Sequence, residues 1–155
     1  MTGAADTGTV IAVERAERLH SAGVRWRPQA GDRFAIRRTA LEGQVFTISD
    51  MVVEAHEHRS GTVLGFNGTT EWALDSVAQE DALWLPREDQ LRELLGGTFR
   101  GLRRAGDPTA AGPGGYEVHV ELPVLGEQRF TAATAADAYA EALLALVGVA
   151  TTAEV

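Results

Sequence analysis

Apolar residues recur at helical spacing near the start of the chain. Over residues 10–22, Ala12, Ala16 and Leu19 fall on one stripe, and Glu14, Arg15, Glu17 and Arg18 occupy the rest of the surface. This period predicts an amphipathic helix with Thr9 as N-cap and Gly23 as its stop. The pattern then changes. Trp26, Pro28 and the Gly31-Asp32 pair predict an aromatic anchor followed by a turn, with a strand over residues 33–37.

Residues 44–67 read as β structure. Segments 45–48, 51–56 and 62–66 are rich in β-branched and aromatic side chains, and Arg59-Ser60-Gly61 supplies a hairpin turn. Connections this short require antiparallel pairing, so a meander is expected. A short helix is predicted over residues 69–77. Residues 82–85 form a compact apolar run ended by Pro86, which is expected to start a helix over 87–95 that stops at Gly96-Gly97. Glu88 and Asp89 suit the positive N-terminal end of that helix.

The Gly- and Pro-rich segment 106–115 predicts a flexible loop. Beyond it, residues 116–122 alternate as a half-buried strand that pairs with 127–131 through a turn over 123–126. Thr134, with Asp137 three residues later, resembles a helix cap. The alanine- and leucine-rich stretch 138–147 continues that helix, with Gly148 as its expected end. A lone two-stranded ribbon is marginal, so the helix is expected to cover it. The prediction is therefore an α+β fold: an antiparallel β-meander and a C-terminal β-hairpin packed with N-terminal, middle and C-terminal helices. Residues 9–148 form the expected single domain, flanked by tails at 1–8, which is expected to be disordered, and 149–155.

Composition narrows the chemistry. The 155 residues carry a net charge of −8, which disfavours nucleic acid, because phosphate-backbone binding needs a basic surface. There is no cysteine, so disulfides, thiolate metal sites and cysteine nucleophiles are excluded. All 14 cationic residues are arginine, a bias that a GC-rich genome would produce. Without lysine there can be no Walker A phosphate loop, Schiff base or pyridoxal-phosphate site. No secretory leader or membrane-spanning run is recognised, so a cytoplasmic location without membrane association is the expectation.

Glu54, His56 and His58 occupy alternate positions, which on a strand share one face. Two imidazoles and a carboxylate are a donor set for zinc or a similar divalent ion, although the glutamate that a cupin motif requires does not follow. A solvated polar face beside a turn accounts for the same residues. Arg87-Glu88 lacks the remainder of a Nudix box, and no Gly-x-Ser-x-Gly elbow is present to expose a serine nucleophile. Trp26, Trp72 and Trp84 read first as core anchors and second as parts of a binding surface. Asn67, Thr69 and Thr70 lie in a turn whose backbone N–H groups could receive an anion.

Three segments carry a resemblance: Trp26-Arg-Pro28-x-x-Gly31-Asp32-Arg-Phe34, Phe66-Asn-Gly-Thr-Thr-Glu-Trp72-Ala-Leu-Asp-Ser76 and Trp84-Leu-Pro-Arg-Glu-Asp-Gln-Leu91. Together they are similar to a family of short actinobacterial proteins that often carry the label "pilus assembly protein", over residues 10–147. The ATPase behind that label is a MinD-like hydrolase with a lysine-bearing phosphate loop and a larger domain. The resemblance therefore implies family membership without ATPase activity. The expected function is a non-enzymatic binding or accessory module taking a protein partner or small ligand near Trp72, Trp84, Asn67, Thr69 and Thr70. The alternative is a small metal-dependent hydrolase using Glu54, His56 and His58.

Overall fold

The computed structural model describes residues 11–37, 44–48, 53–58, 61–66, 76–106 and 114–152; for 53–58, 61–66 and 76–79 the backbone alone is described. Three helices and nine strands are formed among these residues, an α+β arrangement as the patterning predicts. The chain divides into two compact units. One is continuous, residues 25–85; the other joins residues 1–24 to residues 86–155.

In the discontinuous unit, α1 (Val13–Ser21) buries Ala16 and Leu19, and α2 (Glu88–Leu95) buries Leu91 and Leu95. Strands β7 (Phe99–Ala105), β8 (Gly115–Leu122) and β9 (Gly126–Ala132) form an antiparallel sheet in the order β7-β8-β9. Period-2 alternation turns Val118, Val120 and Leu122 inward, each buried. Helix α3 (Ala135–Thr152) lies across this face, packing on β8, β9, α1 and α2. Its buried residues are mostly alanines, which let the helix backbone approach the sheet closely. Asp137, Tyr139 and Leu143 are the exceptions, and Tyr139 is the largest. Its ring meets Phe99 at 5.6 Å, and burial, with Glu88 as a secondary cause, raises its phenol above the ordinary 10.0.

The two ends of the chain meet at Asp137. The Thr134 hydroxyl accepts the Asp137 backbone N–H at 3.1 Å, so the expected cap is formed. The Asp137 carboxylate, however, turns toward α1: its Oδ1 accepts the Ala12 N–H at 2.9 Å, across 125 positions. Ala12 caps α1 with no side-chain acceptor of its own, so Asp137 supplies what a local capping-box acid would. Arg15 stands 3.5 Å from Asp137 and 2.9 Å from Glu141, and Arg18 reaches Glu141 at 2.8 Å. One carboxylate thus serves the positive ends of two helices.

The continuous unit holds two three-stranded antiparallel sheets. β1 (Arg33–Ile36) lies between β2 (Val45–Thr47) and β6 (Ala82–Leu85). β3 (Val53–His58), β4 (Gly61–Phe66) and β5 (Ser76–Ala78) form a meander. Phe34, Ile36, Ile48 and Ala82 make a buried cluster with Trp26 and Phe46 against it.

Several expectations are corrected. Helix α1 begins at Val13, and Thr9 lies outside the described residues, as does Arg59-Ser60 of the hairpin turn. Ser76 and Val77 belong to a strand and not to a helix, because Leu64 of β4 pairs with Val77. Pro86 precedes Arg87, the N-cap of α2, and is not the first helical residue; Gln90 Oε1 accepts the Arg87 N–H at 3.0 Å. Gly115 opens β8 and is not loop: a Cβ there would stand 2.6 Å from the Ala132 carbonyl oxygen, a spacing that requires glycine. Residues 107–113 of the expected loop lie outside the described set. Helix α3 runs through Gly148 to Thr152, since one glycine costs only about 1 kcal/mol in a long helix. At 18 residues with mean hydropathy 1.2, α3 is long and apolar enough to cross a membrane by length and composition.

Replacing Asp137 with alanine removes the cap of α1 and leaves Arg15 with a single acid. Asp137→Ala should lower unfolding stability by about 2 kcal/mol. Urea unfolding at neutral pH checks it, and a change below about 0.5 kcal/mol would show that the carboxylate is dispensable.

Candidate functional site

Of the residues singled out by sequence, Asn67, Thr69, Thr70 and Trp72 lie outside the described residues. Glu54, His56 and His58 fall on β3, opposite Gly65, Val63 and Gly61 of β4. They hold alternate strand positions, and their side chains are outside the description. Among the described residues no group of three His, Asp or Glu side chains is arranged to hold a metal ion.

Trp84 is on β6, directly opposite Phe34, which in turn lies opposite Phe46 of β2. Directly opposed residues of antiparallel strands share a face, so Phe46, Phe34 and Trp84 form one aromatic row across the sheet. The Phe34 and Phe46 rings stack at 5.6 Å, and Trp26 tilts onto Phe34 at 5.7 Å.

The two tryptophans at this row have opposite polar fates. The Trp26 indole N–H donates to Asp32 Oδ2 at 2.8 Å, and the Gln29 backbone N–H donates to the same oxygen at 3.0 Å. Asp32 is 1% exposed, and its backbone carbonyl also accepts from Ile48 at 2.9 Å. The Gly31-Asp32 turn therefore carries an enclosed carboxylate that takes two donors from the segment just before it. Trp84 Nε1 is equally shielded from water but has no hydrogen-bond partner among the described residues. A buried indole N–H without an acceptor is uncommon and costs about 1–3 kcal/mol.

In the other unit, the outward face of β7-β8-β9 is charged. Arg103 donates to Glu117 at 2.7 Å through both Nε and Nη2, and Arg100 holds Glu121 at 2.6 Å. The hydrogen bond from Arg103 holds the Glu117 carboxyl below its ordinary 4.5. His119, opposite Gly101 and Arg129, places Nε2 3.7 Å from Glu127, too far for a hydrogen bond. Strand β7 itself escapes the sequence pattern. Phe99-Arg-Gly-Leu-Arg-Arg-Ala has no β-branched residue, and a register shift between Phe99 and Gly101 interrupts its alternation.

The β8–β9 turn is also unusual. Leu125 N–H donates to the Pro123 carbonyl at 2.8 Å, a γ-turn whose central residue, Val124, has φ 68. A β-branched residue is strained in that region, yet Val124 is 95% exposed and Leu125 55%. Gln128 braces the turn by donating to the Leu125 carbonyl at 3.1 Å.

A scan against protein-family models and searches of curated proteins and of solved structures return no match.

Two measurements follow from these geometries. Trp26→Phe removes a donor from a buried carboxylate and should destabilise by about 1–3 kcal/mol, whereas Trp84→Phe removes an unsatisfied donor and should be neutral or slightly stabilising. Paired thermal melts decide this, and equal losses would contradict the contrast. For Glu117, a lowered pKa means that its contribution is present above about pH 4.5 and is lost as pH falls through the folded-state value. Arg103→Met should return the Glu117 titration, followed by carboxyl NMR, toward 4.5; an unmoved titration would dissociate it from Arg103.

Proposed function

We propose that this chain is a non-enzymatic, cytoplasmic binding or accessory module that engages a protein partner or small ligand at Trp84. The observation that carries this reading is the Trp84 indole N–H, which is enclosed and lacks an acceptor among the described residues. A partner's backbone carbonyl or carboxylate oxygen would complete it once docking at the half-exposed ring shifts the side chains that cover the N–H. Trp84 is half-buried on β6, an edge of its sheet among the described residues, so an incoming chain has both an aromatic surface and unpaired backbone to meet. Tryptophan is favoured at such positions because it offers a large apolar area together with one directional donor.

The resemblance to proteins labelled for pilus assembly makes a secretion ATPase the first partner to try, with this chain as its accessory and not as the hydrolase. Trp72, Asn67, Thr69 and Thr70, which lie outside the described residues, are the further candidates for that contact.

A second reading, a small metal-dependent hydrolase, has one observation in its favour. Strand β3 spans Val53–His58 and so gives Glu54, His56 and His58 the alternate positions that a zinc site would use. Stoichiometric metal in elemental analysis of the purified chain would favour this reading over the first.

Wild-type chain used as bait should retain a defined protein, identified by mass spectrometry, and Trp84→Phe should release it at an unchanged melting temperature. Equal recovery by both baits would remove Trp84 from the contact.

A further inference from the structure

The two edges of the β7-β8-β9 sheet are unlike. Strand β7 is interrupted by a bulge and carries Arg100, Arg103 and Arg104, features that discourage a further strand from pairing. Strand β9 has neither defence. It pairs with β8 in unbroken register from Gly126 to Ala132, contains no proline, and among the described residues has no strand on its other side.

Its outward charges are also unsettled. Glu127 lies directly opposite Glu121, a like-charge pair, and Glu121 already has Arg100. Arg129 lies opposite His119, makes no hydrogen bond or close ion pair among the described residues, and reaches Glu117 through its longer-range field. Each β9 therefore exposes one acid and one base, two positions apart, on the same face.

We propose that β9 pairs antiparallel with β9 of a second copy of this chain, in the register that sets Gln128 opposite Gln128. Directly opposed residues must share a face, so residues on the helix-covered side can meet only their equivalents on that side. Among the registers that obey this, centring on residue 127 or 129 opposes two glutamates or two arginines. Centring on Phe130 carries Glu127 past the end of the neighbouring strand. Centring on Gln128 sets Glu127 opposite Arg129 of the second copy, twice by symmetry. Each Glu127, to which its own sheet offers His119 at 3.7 Å and no guanidinium among the described residues, then gains a permanent counter-charge.

The same register accounts for the hairpin tip. Leu125 falls beside Thr131 of the second copy and Val124 beside its Ala132, so two exposed apolar side chains gain a neighbour. The γ-turn holds that tip in one conformation, which lowers the entropy lost on docking. The product is a continuous six-stranded sheet with α3 of both copies on one face.

Sedimentation equilibrium across a broad concentration series tests this. The wild-type chain should show a reversible monomer–dimer equilibrium. Glu127→Arg and Arg129→Glu should each weaken it roughly tenfold or more by opposing like charges twice, and the double variant should recover wild-type affinity. Circular dichroism checks that each variant folds. Because the chain has no cysteine, Gln128→Cys gives an independent readout: mild oxidation should link two copies, while Thr131→Cys should not link. A wild-type chain that stays monomeric, single reversals without effect, a double variant as weak as the singles, or a Gln128→Cys chain that does not link would each overturn the proposal.

Discussion

The discontinuous unit depends on what the Asp137 carboxylate does. Helix α1 has nine residues and no capping side chain of its own, and a helix of that length is marginal in water. Its entry is fixed by a hydrogen bond from Ala12 to a residue on α3, reinforced by Arg15 and Arg18 against Asp137 and Glu141. Buried Leu19 and Ala16 supply apolar area but little direction. The carboxylate supplies direction, because a side chain 12% exposed can hold its charge only where donors converge on it.

The two units handle polarity in different ways. On the outer face of β7-β8-β9, Arg100–Glu121 and Arg103–Glu117 are matched across strands at hydrogen-bond distance and remain wet, so each pair adds little stability. Around Phe34 the polar atoms are few and enclosed, and each one matters. Asp32 gathers an indole and a backbone donor and organises the turn leading into β1. Trp84, on the same aromatic row, presents a donor that nothing among the described residues receives. Such atoms are uncommon; among the described residues His119 Nε2 is the other buried side-chain nitrogen without a hydrogen-bond partner.

Much of the fold was legible because local signals and tertiary packing agree. The Thr134 cap, the clean alternation of β8 and its turn into β9 are each read from a few neighbouring residues, and each is formed. Strand β7 was not legible. It lacks β-branched residues, carries four polar or glycine positions, and owes its conformation to pairing with β8. Helix α3 passes Gly148 because packing on β8 and β9 outweighs the preference of one residue. At the candidate site, Trp84 could be named from its rarity, but the state of its N–H could not, since that depends on residues distant in sequence. The carboxylate between α1 and α3 was invisible for the same reason. Asp137 carries the local signature of a cap, and no sequence pattern reveals that it faces a helix 125 positions earlier.

Splitting one unit around the other also orders events in time. Residues 25–85 leave the ribosome as an uninterrupted block that holds every strand of its own two sheets. Helix α1 emerges before them and must wait for Asp137, which at roughly 5–20 residues per second is a delay on the order of ten seconds. Throughout that interval the first helix has neither its cap nor its packing surface. Residues 25–85 can thus pair their strands while α1 still lacks both, so α1 is made ahead of that unit and completed after it can be.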